Sequence, residues 1–217
     1  MAPAADEPLL PLLPTLGQPW LLAGLALWAA LALVAMGSLG ARHTAAMPAR
    51  NARVAPPDVR SAFARLQADS SQRLLVHVIA TDCSCAQRLT RHLLQRPRLA
   101  GTVEMLLLVG PDAAWQPLAE AAGVAIQRVD AATLQQRYGL DAAPVLVALA
   151  SGGRIDYLGG YFDHPAALHP LDESIHARWA SGAGAPAALP VYGCAVSDNL
   201  RRSIDPLGVV DGTPRPR

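Results

Sequence analysis

Two cysteines one residue apart, Cys83 and Cys85, and a third at Cys194 are the residues of this chain best suited to chemistry. The pair follows an apolar, β-branched run from Leu74 to Ala80 and a polar Thr81-Asp82 turn. After it the pattern turns helical, with Ala86, Leu89 and Leu93 on one face. A strand that hands cysteines to the first turn of a helix sets their sulfurs beside unpaired N–H groups and the positive end of the helix dipole. Both stabilise a thiolate, so the cysteine pKa falls and its reactivity rises. The expected chemistry is thiol–disulfide exchange. The plain alternative, two small buried apolar residues, fits the packing habits of cysteine but not this position in a βα pattern. Cys194 follows Gly193 and precedes SDNLRRSI, which predicts a second helix N-terminus. It either resolves a disulfide with Cys83 or Cys85, or is an inert buried thiol.

The elements that must position these residues lie in a chain of 217 residues, enough for one anchored domain with a real core. Net charge is +1, and all 18 basic residues are arginines spread along the chain, which gives no nucleic-acid surface. Three cysteines are too few for a disulfide scaffold, and their odd number leaves a free thiol or a third partner. Residues 1–19 read as a disordered tail whose only charges are Asp6 and Glu7. Residues 20–40 hold an uncharged run of about 20 residues, roughly 30 Å of helix and enough to span a bilayer core. Trp20 and Arg42 would mark its two interfaces. A cleaved signal peptide fits less well because the tail before the run is acidic, and a buried soluble helix less well because the run has no polar face.

Residues 41–57 read as a linker, with Asp58 as the N-cap of the first helix of a domain over 58–180. Strands are expected at 74–80, 102–109, 124–129, 145–149 and 154–160, with helices after Cys83, over 115–122, 130–138 and 172–180. Gly139 and the SGG triplet at 151–153 supply the turns. Residues 181–217 form a C-terminal extension that carries Cys194, with Pro206 as the stop of its helix.

This order resembles the thioredoxin-like superfamily over residues 58–180. VHVIATDCSC is similar to the family's strand-plus-motif segment, and YGLDAAPVLVALASGGRIDYLGGY to its cis-proline hairpin. The resemblance implies an α/β thioredoxin-like fold behind an N-terminal transmembrane helix. It also implies that Pro144 is cis and faces the cysteines, offering backbone groups to a substrate chain. Its plain reading is an edge-strand proline. Three departures stand out. Only Ser84 separates the cysteines, where the family has two residues. A Cys83–Cys85 disulfide would then need a distorted first turn, and would be strained and easily reduced. Asp82 stands where the family usually has tryptophan, and its carboxylate opposes thiolate formation. His77 stands where the family often has a buried acid. It is either a general base or a satisfied core histidine.

The first functional expectation is a membrane-tethered thiol–disulfide oxidoreductase acting on protein thiols or disulfides. Cys83 attacks, because free N–H groups are most concentrated at its turn, and Cys85 resolves. No cofactor is expected on this reading. The second is a copper-handling protein, with Cu(I) held by Cys83, Cys85 and either Cys194 or a histidine such as His164 or His169. The third is a non-catalytic binding module with structural cysteines. Location is expected at the inner or plasma membrane, single-pass, with the domain in the periplasm. The arginines after the span, Arg42, Arg50, Arg53 and Arg60, argue the other way by the positive-inside rule. Anchored relatives and the persistence of disulfides outside the cytosol argue for the periplasm.

Overall fold

The structure is a computed structural model, and it describes residues 19–44, 46–47, 55–110, 114–184 and 186–204. Two compact units divide the chain at His43 and Thr44. The tail expected at the N-terminus lies outside the described residues, apart from Pro19. Helix α1 spans Pro19–Thr44. It runs past its expected end at residue 40 because Ala41, Arg42 and His43 contain no helix breaker. Its segment Pro19–Gly37 is long and apolar enough to cross a membrane, and none of it is buried in protein. A membrane span and a signal sequence both meet that measure.

The first helix of the second unit is α2 (Pro57–Ala64), whose N-cap is Pro56 and not Asp58 as expected. Pro57 takes the first helical position, where its missing N–H costs nothing, and Asp58 sits in the first turn as a favourable negative charge. There follow β1 (Arg73–Ala80), α3 (Ser84–Gln95), β2 (Thr102–Val109), α4 (Gln116–Ala121), β3 (Ala125–Val129) and α5 (Ala131–Tyr138). Then come β4 (Ala142–Ala143), β5 (Val145–Leu149), β6 (Ile155–Gly159), α6 (Asp172–Ala180), β7 (Cys194–Ala195) and α7 (Asp198–Ile204). Asp130 caps α5 by accepting from the Thr133 N–H at 2.6 Å, and Gly139 ends it in the left-handed region.

Five strands form one sheet in the order β3-β2-β1-β5-β6. β1 is central: it pairs in parallel with β2 and antiparallel with β5, while β3 extends β2 in parallel and β6 closes a hairpin on β5. A strand paired on both edges and covered on both faces has no polar side, so β1 is buried from Leu74 to Ala80. Ala86, Leu89 and Leu93 make the buried stripe of α3. On α2 and α5, Phe63 and Tyr138 pack with ring centroids 4.9 Å apart.

Described residues after 180 are tied to the domain before them. Gly160 N–H donates to the Leu189 carbonyl, Val191 bridges Met47, and β7 pairs with β4. Met47, placed in a linker by its sequence context, is therefore tied into the domain at its far end. The helix stop expected at Pro206 lies outside the described residues.

A buried charge network crosses the core. Arg96, just past α3, reaches Glu104 on β2 at 2.6 Å and Asp172 on α6 at 2.7 Å. Glu104 also accepts from the Leu99 N–H and from His77 Nε2, and His77 Nδ1 accepts from the Tyr161 hydroxyl at 2.7 Å. Burial alone would raise the Glu104 carboxyl, but the hydrogen bonds from His77, Arg96 and Leu99 overcome it and hold it far below the usual carboxylate range. Burial pushes His77 below its ordinary value, with Glu104 pulling it partly back.

Both shifts act alike with pH. The Glu104 contribution is present above its unfolded value of about 4.3 and is lost as pH falls through the folded one. The His77 contribution is present above about pH 6.5 and shrinks below it, because the unfolded chain then takes up a proton that the buried ring resists. The denaturant midpoint of the full chain in detergent should begin to fall below about pH 6.5, from His77, and continue to fall below about pH 4.3, where the Glu104 contribution is lost. At neutral pH, Glu104→Gln should cost about 3 kcal/mol, because it removes one partner of a buried pair. A midpoint flat across that pH range would contradict this reading of the network.

Candidate functional site

β1 ends at Ala80, and the turn after it is tied to the end of β2. Thr81 donates to the Val109 carbonyl from its N–H at 3.0 Å and from its hydroxyl at 3.2 Å. That turn sets Cys83 in extended conformation as the N-cap residue of α3, and its own side chain makes no capping hydrogen bond. Cys83 is only 4% exposed, whereas Cys85, one residue into the helix, is exposed.

The bond at this site joins Cys83 to Cys194, not to Cys85, with the two Cα atoms 6.4 Å apart. Cys194 does not begin a helix as expected. It lies on β7, four residues before α7, directly opposite Ala143 in an antiparallel pair. The carbonyl of Asp141 accepts from the N–H groups of both Val196 and Ser197, at 2.7 and 3.1 Å, which anchors the far end of the pair. Small residues permit this approach: a Cβ on Gly193 would overlap the Ala143 carbonyl and the Pro144 ring. A two-residue strand such as β7 has no periodicity to read, which is why the sequence shows a helix start there and not a strand.

The Cys85 sulfur remains a free thiol 2.7 Å from the Cys83 sulfur. Partial burial of that sulfur pushes the Cys85 thiol up, while the N–H groups of Ala86 and Cys85 and the charge of Arg88 pull it back. All three sulfurs lie within 4.8 Å of one another, the one such group among the described residues. A free thiol touching one end of a disulfide is arranged for exchange, and three reduced thiols at this spacing are arranged to hold a soft cation.

The other candidates fall in different places. The Ala143–Pro144 bond is cis, and Pro144 is buried at the head of β5 in a central pairing, not on an edge. Through Ala143 it adjoins Cys194, and through the disulfide it adjoins Cys83. His77 has both ring nitrogens engaged in the buried network, which is the core-histidine alternative; neither nitrogen is free to take a proton from a cysteine. His164 and His169 are exposed and belong to no cysteine cluster. Asp82 is exposed, with Arg201 of α7 lying 3.6 Å from its carboxylate. The repulsion expected from Asp82 is therefore partly offset by a cation from the C-terminal segment.

If the close approach at Gly193 is what seats β7, Gly193→Val should push Cys194 away from Ala143. The fraction of chains with a Cys83–Cys194 bond, read by non-reducing peptide mapping, should drop well below that of the unaltered chain. An unchanged fraction would show that β7 is seated by other contacts.

No protein-family model matches the chain, and no curated protein matches it. Solved structures do resemble it. A hypothetical protein from Sinorhizobium meliloti 1021 aligns at 15% identity and a TM-score of 0.44, covering 70% of this chain and 92% of its own. A secreted Mycobacterium tuberculosis disulfide oxidoreductase homologous to E. coli DsbE aligns at 16% and 0.35, covering 64% and 97%. The N-terminal domain of PilB from Neisseria gonorrhoeae aligns at 9% and 0.30, covering 51% and 76%. Likenesses this distant carry no argument about activity. On its own strand order, its parallel and antiparallel pairings and its proline-led hairpin, the second unit of this chain has a thioredoxin-like fold.

Proposed function

We propose that this protein is a membrane-tethered thiol–disulfide oxidoreductase whose exchange chemistry runs through Cys83. The observation that supports this most is a free thiol, Cys85, lying against one sulfur of the Cys83–Cys194 disulfide. A structural disulfide needs no such neighbour, whereas exchange requires a thiol that can reach a disulfide sulfur. The first-turn N–H groups of α3 favour a thiolate on the sulfurs at that helix start. Protein thiols and disulfides are the substrate class. Helix α1 is the tether, and the domain works on the periplasmic side, where its disulfide persists.

A second reading has its own support. Three sulfurs within 4.8 Å suit Cu(I) once the disulfide is reduced, with Cys83, Cys85 and Cys194 as ligands. The two readings differ in what the isolated full chain does. An oxidoreductase, oxidised and mixed with reduced, unfolded ribonuclease, should transfer its disulfide to the client. Cys83→Ser should slow that transfer by about tenfold or more, because Cys83 is common to the observed disulfide and to the one Cys85 would form. If no transfer occurs and the chain binds one Cu(I) lost on any cysteine substitution, the metal reading stands. Neither transfer nor metal would make the cysteines structural and the domain a binding module.

Orientation has a separate check. Alkaline phosphatase fused after Arg217 should be active in cells. An inactive fusion, with an active cytoplasmic reporter at the same place, would put the domain on the other side.

A further inference from the structure

We propose that Cys85, not Cys83, is the sulfur that meets the client, and that Cys83 relays the bond between Cys85 and Cys194. This rests on the oxidoreductase reading and assigns the order of events within it. The sequence pattern favours Cys83 as the outward thiol, since it stands first at the helix start. The structure closes that route. Cys83 is 4% exposed and bonded to β7 through Cys194, and β7 is held by the Ala142–Ala195 and Ala143–Cys194 pairs and by the two N–H groups that donate to Asp141. The segment is no loose flap, because Val191, Val196 and Ser197 are buried. At 4% exposure, Cys83 presents little surface to a protein disulfide or thiol. Cys194 is half-buried in the same pair, and Cys85 alone of the three is exposed.

The relay balances without any outside oxidant or reductant. The Cys85 thiolate attacks the Cys83 sulfur; the Cys83–Cys85 bond forms as the Cys83–Cys194 bond breaks, and the electron pair leaves on Cys194 as a thiolate that takes a proton from water. The bond has then moved from a covered place to an exposed one. A client thiolate attacks the Cys85 sulfur, forming a client–Cys85 mixed disulfide and releasing Cys83 as thiolate. A second client thiol displaces Cys85 and closes the client disulfide, so the client is oxidised by two electrons and the chain reduced by two. Cys194 stays at hand throughout, since its strand is held by backbone hydrogen bonds that do not depend on the sulfur bond. In the observed state Cys194 therefore stores the bond, and an encounter with Cys85 brings it out.

The test uses the oxidised full chain in detergent, reduced glutathione as the attacking thiol, acid quenching at early times and peptide mapping of the adduct. Glutathione should be found on Cys85. Cys85→Ala should keep the Cys83–Cys194 bond and slow capture by about tenfold or more, because only covered sulfurs remain. Cys194→Ala should form the Cys83–Cys85 bond directly and capture glutathione on Cys85 at least as fast as the unaltered chain. Early adducts on Cys83 or Cys194, or a Cys85→Ala chain that reacts at the unaltered rate, would overturn the relay. Those outcomes would leave the oxidoreductase reading intact as long as the unaltered chain still oxidises reduced ribonuclease. Loss of that transfer would sink both.

Discussion

The site depends on one covalent constraint across a long stretch of chain. The Cys83–Cys194 bond joins residues 111 apart in sequence. Loop closure on that scale removes about 5 kcal/mol of conformational freedom from the unfolded chain in the entropy account. A pair of two-residue strands would be marginal by itself. Bonded through Cys194, and supported by the Asp141 carbonyl and the Val191–Met47 bridge, it becomes a fixed cover over the helix start. The small side chains along that seam let two backbones approach without displacing the hairpin beneath them.

The charge network of Arg96, Glu104, Asp172 and His77 has a different place in the molecule. It ties the end of α3, the start of α6 and two central strands together without offering an open group to the cysteines. Its acids are paired and its histidine is bonded on both sides, so its contribution is to hold elements in register. Buried ionic groups of this kind are poor evidence for extra stability over an apolar core, yet costly to break singly. A perturbed acid in this chain is therefore a sign of architecture and not of catalysis.

Much of the scaffold was legible from residue pattern. Continuous apolar runs marked the strands at 74–80, 102–109 and 145–149, and Asp130 with Gly139 bracketed a helix closely. The cysteine helix and the proline-led hairpin were legible for the same reason: each carries its own local signal. What stayed hidden depends on long-range contact. Cys194 looked like a helix start because Asp198 begins one soon after, and nothing in the order Gly-Cys-Ala specifies a partner strand 51 residues back, at Ala143. Glu104 was hidden in an apolar strand, and only its neighbours in space explain how an acid lies there. His77 left two readings open because a histidine's hydrogen-bond partners cannot be read from its own strand.

The seam also imposes an order on biogenesis. Cys83 and Cys85 leave the ribosome together, and Cys194 follows 111 residues later than Cys83. At about 5–20 residues per second that gap lasts roughly 6–20 s. During it, the pair is the only intramolecular couple a nascent chain possesses, and over its last 51 residues, from Ala143 to Cys194, the strand edge at Ala142–Ala143 has no partner from its own sequence. Any sulfur bond closed within the chain in that interval differs from the mature one, and the bare edge is open to pairing with other chains until β7 is made.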